Sequence, residues 1–102
     1  MHIDVVERDG SLTLRVEGDL DLATAPLLDK EIERATASQA AMIVVDLDQV
    51  GFIDSSGLYV LVRHISRSRQ DGRRIRLTKG SEQTQQLFKL TGVLDHLSFV
   101  DH

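Results

Sequence analysis

The sequence contains no cysteine and no tryptophan, a single proline, and only 4% aromatic residues. Without cysteine there are no disulfides and no thiolate metal sites, which suits a reducing compartment. So few aromatics do not build the stacking platform that single-stranded nucleic acid needs. No apolar run approaches the ~20 residues that cross a bilayer. The start, Met1-His2-Ile3-Asp4, lacks the basic and apolar stretch of a secretory signal. Membrane insertion is therefore not expected, and a cytoplasmic location is. A Walker-type glycine-rich cradle is also missing, so no nucleotide or other cofactor is expected on this chain by itself.

Positive charge is in short supply: 12 basic residues face 16 acidic ones, for a formal net charge of -4. A duplex-binding module needs a basic face that displaces counterions, so no direct contact with nucleic acid is expected. The arginines that do cluster are Arg63, Arg67, Arg69, Arg73, Arg74 and Arg76. They read as a solvated helix end running into an edge strand.

What is present suits a single domain over residues 1–102, with 41% apolar and 27% charged residues. Ile3–Arg8 reads as an edge strand, and Asp9-Gly10 as a tight hairpin turn. On the return strand Leu12, Leu14 and Val16 alternate with Thr13, Arg15 and Glu17. Gly18-Asp19-Leu20-Asp21 breaks that alternation. Thr24 is placed to cap a helix with Pro26 in its first turn. Ala25, Leu28, Ile32 and Ala35 would then face the core, with Asp29, Lys30, Glu33 and Arg34 toward water, and the helix would fade near Ala37-Ser38.

Met42–Leu47 is β-branched and apolar on successive residues, as in a central parallel strand covered on both faces. Leu58, Leu61, Val62 and Ile65 repeat as an amphipathic helix ending at Asp71-Gly72. Arg74–Thr78 reads as a strand, with Ile75 and Leu77 on one side. Ser81 caps a third helix carrying Leu87, Phe88 and Thr91, Gly92 stops it, and Leu97–Val100 makes a last strand. The expected fold is α/β, a mixed sheet with right-handed crossover helices in the order β-β-α-β-α-β-α-β. Because the outer strands alternate, one sheet face is expected to be only partly covered.

Chemistry concentrates at Asp54-Ser55-Ser56-Gly57, where a strand meets a helix. Ligands gather at the carboxyl ends of parallel strands in such sheets. Asp and Ser are also ordinary helix caps, yet one cap suffices and three candidates stand in a row. Gly57 is expected to leave the approach to the hydroxyl open. A phosphate on Ser55 would meet the positive helix end and free amide protons, so the fold should survive it. It would also add nearly two negative charges beside Asp54, and near Asp19 and Asp21.

Gly18-Asp19-Leu20-Asp21 resembles the Gly-Glu-Leu-Asp element of STAS domains, the fold of anti-sigma factor antagonists. Val44–Leu47 followed by Phe52–Leu58 looks like their central strand and phosphorylation loop. Leu90-Thr91-Gly92-Val93-Leu94 is similar to their late leucine-glycine turn. These pieces occur in the family's order along nearly the whole chain. The resemblance implies that Ser55 is phosphorylated by an anti-sigma factor that is also a serine kinase. It implies that the unphosphorylated form binds this kinase, that the phosphorylated form releases it, and that a serine phosphatase resets the switch. Asp21, Asp54, Ser56 and Gly57 match the family's residues around the phosphoacceptor, at the partner-binding surface. Family members usually carry a further C-terminal helix, whereas this sequence reaches Asp101-His102 directly after the last expected strand.

Two other classes remain open. One keeps the fold as a non-switching interaction subunit of a lipid transporter or a larger signalling assembly. The other is an enzyme with a serine nucleophile, which needs a base within ~2.6–3.2 Å. His64 lies nine positions along the same helix from Ser55, about 13 Å away, and His2, His96 and His102 sit near the chain ends. Asp54 also stands where the Gly-x-Ser-x-Gly elbow asks for glycine. An enzyme is not expected. His64 itself reads as a partly exposed helix residue with no second metal ligand at i+4.

Overall fold

Asp9 and Gly10 both adopt positive φ, 52° and 82°, the backbone that a type I′ turn requires. The turn joins β1 (His2–Arg8) to β2 (Ser11–Leu20) in an unbroken antiparallel register from Arg8↔Ser11 to His2↔Glu17. The computed structural model describes residues 1–71 and 74–100. After the hairpin come α1 (Ala25–Ala37), β3 (Met42–Ile53), α2 (Ser55–Asp71), β4 (Arg74–Leu77) and α3 (Glu82–Thr91). A single 3-10 turn follows at Leu94–His96.

The strands lie in the order β1-β2-β3-β4, with β2–β3 and β3–β4 parallel. Both helical crossovers step the same way across the sheet. Two crossovers of the same hand and direction place their helices on the same face. α1 and α2 do pack against each other, and their apolar stripes meet the sheet. Ala25, Leu28, Ile32 and Ala35 of α1, with Leu58, Leu61 and Ile65 of α2, close over Leu14, Val45, Leu47 and Leu77. This topology also corrects the expectation for β3. Ile43, Val45 and Leu47 are buried under the helices, but Met42, Val44 and Asp46 on the other face are only half-buried.

Two strands run further than the alternation indicated. The β2–β3 register shifts between Arg15 and Glu17 and again between Gly18 and Leu20, and each shift leaves one extra residue in β3. A bulge of this kind breaks the period of two without ending the ladder. The buried positions of β3 accordingly go from Ile43, Val45 and Leu47 to Val50 and Ile53, each later step lengthened by one residue. Gly18, at φ 106°, supplies the backbone freedom at the matching point of β2.

At the far end the expected last strand reduces to one parallel bridge between Leu77 and Phe99. The Leu77 amide donates to Ser98 O and its carbonyl accepts from Val100 N. Leu77 is the last residue of β4, so the pairing stops at this one residue. α3 behaves as its sequence indicates. Ser81 Oγ accepts the Thr84 amide at 3.1 Å, and Gly92 ends the helix in the left-handed region. α2 runs to Asp71; Gly72, Arg73, Asp101 and His102 lie outside the described residues.

Candidate functional site

The two bulges deliver the end of β3 to the end of β2, where Leu20 pairs with Ile53 and the Asp54 amide donates to Leu20 O at 3.1 Å. Asp54 then starts α2. Its Oδ1 accepts the amides of Ser56 (2.8 Å) and Gly57 (3.1 Å), and its carbonyl accepts that of Leu58 (3.0 Å). One residue therefore satisfies most of the helix start. Its second oxygen, Oδ2, takes the Leu22 amide at 3.0 Å, tying the β2–α1 loop to the β3–α2 junction.

With Asp54 acting as the cap, both serines are spare. Ser55 is exposed, and its hydroxyl makes no hydrogen bond among the described residues. Ser56 is half-buried. The amides of Ser56 and Gly57, expected to be free for a phosphate, are already held by Asp54, because its carboxylate is nearer and built into the turn. The helix dipole and the Ser55 amide, which no acceptor holds among the described residues, then favour an anion on Ser55, and the Asp54 carboxylate opposes it.

Gly57 has a different task from the one expected. A Cβ there would lie 2.5 Å from Leu20 Cγ and 2.8 Å from Leu20 O. The residue is buried, so its smallness lets the first turn of α2 press on β2 and does not open a path to the hydroxyl.

Asp21 and Asp54 are brought to adjoining loops through Leu22. The half-buried Asp21 turns its carboxylate to the start of α1, where Oδ1 accepts the amides of Ala23 (3.0 Å) and Thr24 (3.1 Å). Thr24 occupies the cap position but makes no side-chain cap bond. Its hydroxyl donates backward to Asp19 O at 2.7 Å and accepts the Asp21 amide at 2.9 Å. The expected cap is thus a loop brace, because Pro26 has no amide to offer it and the Ala25 and Leu27 amides go to the backbone carbonyls of Asp21 and Thr24.

Leu22, Phe52 and Tyr59 surround this junction and are 75%, 57% and 66% exposed. Tyr59 is one turn beyond Ser55 on the same face of α2. Phe52 also borders a groove of about 480 Å³ shared with Ile53, Leu87 and Leu90. The signal for these residues in the sequence is phase: Phe52 falls between buried Val50 and Ile53, and Tyr59 between Leu58 and Val60.

A second polar cluster joins α1 to α2. His64 is 2% exposed, not a surface residue, and its Nε2 lies 2.6 Å from Asp29 Oδ1. Arg63 also donates to Asp29 Oδ1, so neither residue is simply solvated. Burial by itself would raise the Asp29 carboxyl. The His64 hydrogen bond and the Arg63 charge outweigh it and hold the group below its ordinary value. Donor atoms of Asp29, Glu33 and His64 lie within 4.8 Å of one another, a set that could ligate a metal. Arg63, 3.4 Å from His64 Nε2, already supplies positive charge there.

A family model for the STAS domain matches residues 2–102. The chain belongs to the STAS domain family. Among STAS relatives, it is 31% identical to the anti-sigma-B factor antagonist of Listeria monocytogenes, over 93% of this chain and 84% of that protein. An anti-sigma factor antagonist from Mycobacterium paratuberculosis has the same fold, with a TM-score of 0.82 and 24% identity over 99% of this chain and 86% of that one. The phosphorylated form of the Bacillus cell fate determinant SpoIIAA superposes with a TM-score of 0.72 and 16% identity, covering 99% and 93% of the two chains. The STAS resemblance of Gly18–Asp21 and Asp54–Gly57 therefore holds at the level of family and fold. Among the described residues, no helix is long and apolar enough to cross a membrane.

Proposed function

We propose that this STAS protein is an anti-sigma factor antagonist that acts in the cytoplasm as a phosphorylation switch, with Ser55 as the phosphoacceptor. The observation that carries the reading is the Ser55 hydroxyl, exposed and unbonded at a helix start that Asp54 caps without its help. In this reading the partner is an anti-sigma factor with serine kinase activity, and it brings the ATP. The Ser55 oxygen attacks the γ-phosphorus, the new O–P bond forms as ADP leaves, and a base of the kinase takes the hydroxyl proton. A serine phosphatase returns the hydroxyl and releases inorganic phosphate.

Modification changes the surface and leaves the fold. Before transfer the partner meets a neutral hydroxyl among Leu22, Phe52 and Tyr59, with Asp21, Asp54, Ser56 and Gly57 shaping the two loops. Afterward it meets nearly two more negative charges beside the Asp54 carboxylate, and binding weakens. The switch acts on recognition.

The test is incubation with the cognate kinase and ATP, followed by mass spectrometry of wild type and Ser55→Ala. One phosphate on wild type and none on the variant is expected. Equal labelling of the two would reject Ser55. If instead the native partner recovered is a transporter ATPase and no kinase, the domain is a non-switching interaction subunit.

A further inference from the structure

We infer that β1 is an assembly edge, through which two copies of this chain pair antiparallel into one continuous sheet about a two-fold axis at Val6. Among the described residues no strand lies beyond β1. Edge strands are normally blunted by a proline, a bulge, a cover or charged side chains. β1 carries no proline and no bulge, its register to β2 is unbroken, and its charges (Asp4, Glu7 and Arg8) are of both signs, so they can pair with those of a second copy. It also exposes adjacent valines on opposite faces, Val5 at 49% and Val6 at 38%.

Hairpin geometry says which backbone groups are free. Arg8 and Ser11 flank a two-residue turn and form a hydrogen-bonded pair, so His2, Asp4, Val6 and Arg8 direct their amides and carbonyls toward β2. Ile3, Val5 and Glu7 direct theirs outward. With the axis at Val6, Val5 of one copy exchanges both backbone bonds with Glu7 of the other, and the reciprocal pair repeats this.

The side chains choose the register. Asp4 stands opposite Arg15, and Arg15 opposite Asp46, on the sheet face without α1 and α2. The proposed axis sets Arg8 of the second copy against Asp4, giving a row of alternating sign: Arg8, Asp4, Arg15, Asp46. The neighbouring row, Val44, Thr13 and Val6, continues into Val6 of the second copy. Cross-strand pairs of opposite charge and of β-branched residues both favour sheet pairing. Moving the axis to Val5 sets Arg8 against His2 and Asp4 against Val6, and moving it to Asp4 opposes two carboxylates. Charge complementarity therefore selects Val6. Such an isologous contact closes at two copies. A seven-residue edge makes a small interface, so the dimer should be weak and concentration-dependent. Ser55 follows β3, two strands away, so the inference does not depend on its phosphorylation.

The absence of cysteine makes the test direct. Sedimentation equilibrium of the full chain should show monomer–dimer exchange at micromolar concentrations, and Val6→Lys should raise the dissociation constant at least tenfold. Circular dichroism and thermal melting check that the variant stays folded. Under mild oxidation Val6→Cys should form a disulfide-linked dimer faster than Val5→Cys, whose thiols would sit diagonally across the pair. A monomer up to millimolar concentration, or a dimer indifferent to Val6→Lys, overturns the inference. Faster cross-linking at position 5 than at 6 overturns the register.

Discussion

The Asp54 carboxylate accepts the backbone amide of Leu22 at 3.0 Å, joining two loops separated by 32 positions of sequence. The same side chain caps α2, so the segment that presents Ser55 is held by one carboxylate.

Removing that carboxylate should be costly. Asp54→Ala loses a cap worth about 1 kcal/mol, while the Leu22 amide, in an exposed loop, exchanges its carboxylate partner for water at little further cost. Asp54→Asn keeps an acceptor and should lose less. Urea denaturation of both variants checks the order, and equal stability of Asp54→Ala and wild type would contradict the cap.

Gly57→Ala tests packing against propensity. Alanine in a helix is favoured over glycine by about 1 kcal/mol, but here its methyl group would collide with Leu20 Cγ and with Leu20 O. We expect a net loss of roughly 1–3 kcal/mol. Trimming the side chain with Leu20→Val should not restore stability, because the carbonyl clash remains.

Ser55 should be dispensable for folding. Ser55→Ala and Ser55→Asp are expected to melt within about 0.5 kcal/mol of wild type. They should diverge in binding: alanine retains the kinase partner, and aspartate weakens the complex. Calorimetric titration of each variant with the partner separates the two effects.

The Asp29 cluster predicts an acid limb of stability. Burial alone would raise its folded-state pKa, but the His64 hydrogen bond and the Arg63 charge outweigh this and hold it below the ordinary carboxylate value. A depressed carboxyl binds protons less readily when folded, so its stabilisation is present above the unfolded pKa. It is lost as pH falls below about 4 through the folded pKa. Asp29→Asn should flatten the stability profile in that acid range. His64→Gln should move the Asp29 titration upward, as followed by carboxyl NMR shifts.

Features set by a residue's own neighbours are legible in the sequence. Asp9-Gly10 specifies its turn because few residues accept positive φ, and both do so here. The core stripe Ala25, Leu28, Ile32, Ala35 and the ends of α3 at Ser81 and Gly92 follow from helical period and capping alone. The family motifs around Ser55 are also local strings of residues.

What depends on chain segments meeting from a distance is not legible. Leu47, Val50 and Ile53 look like a lost alternation until the bulges against β2 supply the extra residues. His64 looks exposed until Asp29, 35 positions away, is packed over it. Gly57 looks like an open approach until Leu20 fills the space beside it. The sequence determined the elements, their caps and the position of the hydroxyl, because these follow from short-range sterics and hydrogen bonding. The tertiary structure alone decided which carboxylate caps, which histidine is buried and which edge stays open. Those outcomes rest on contacts between residues that the chain does not place side by side.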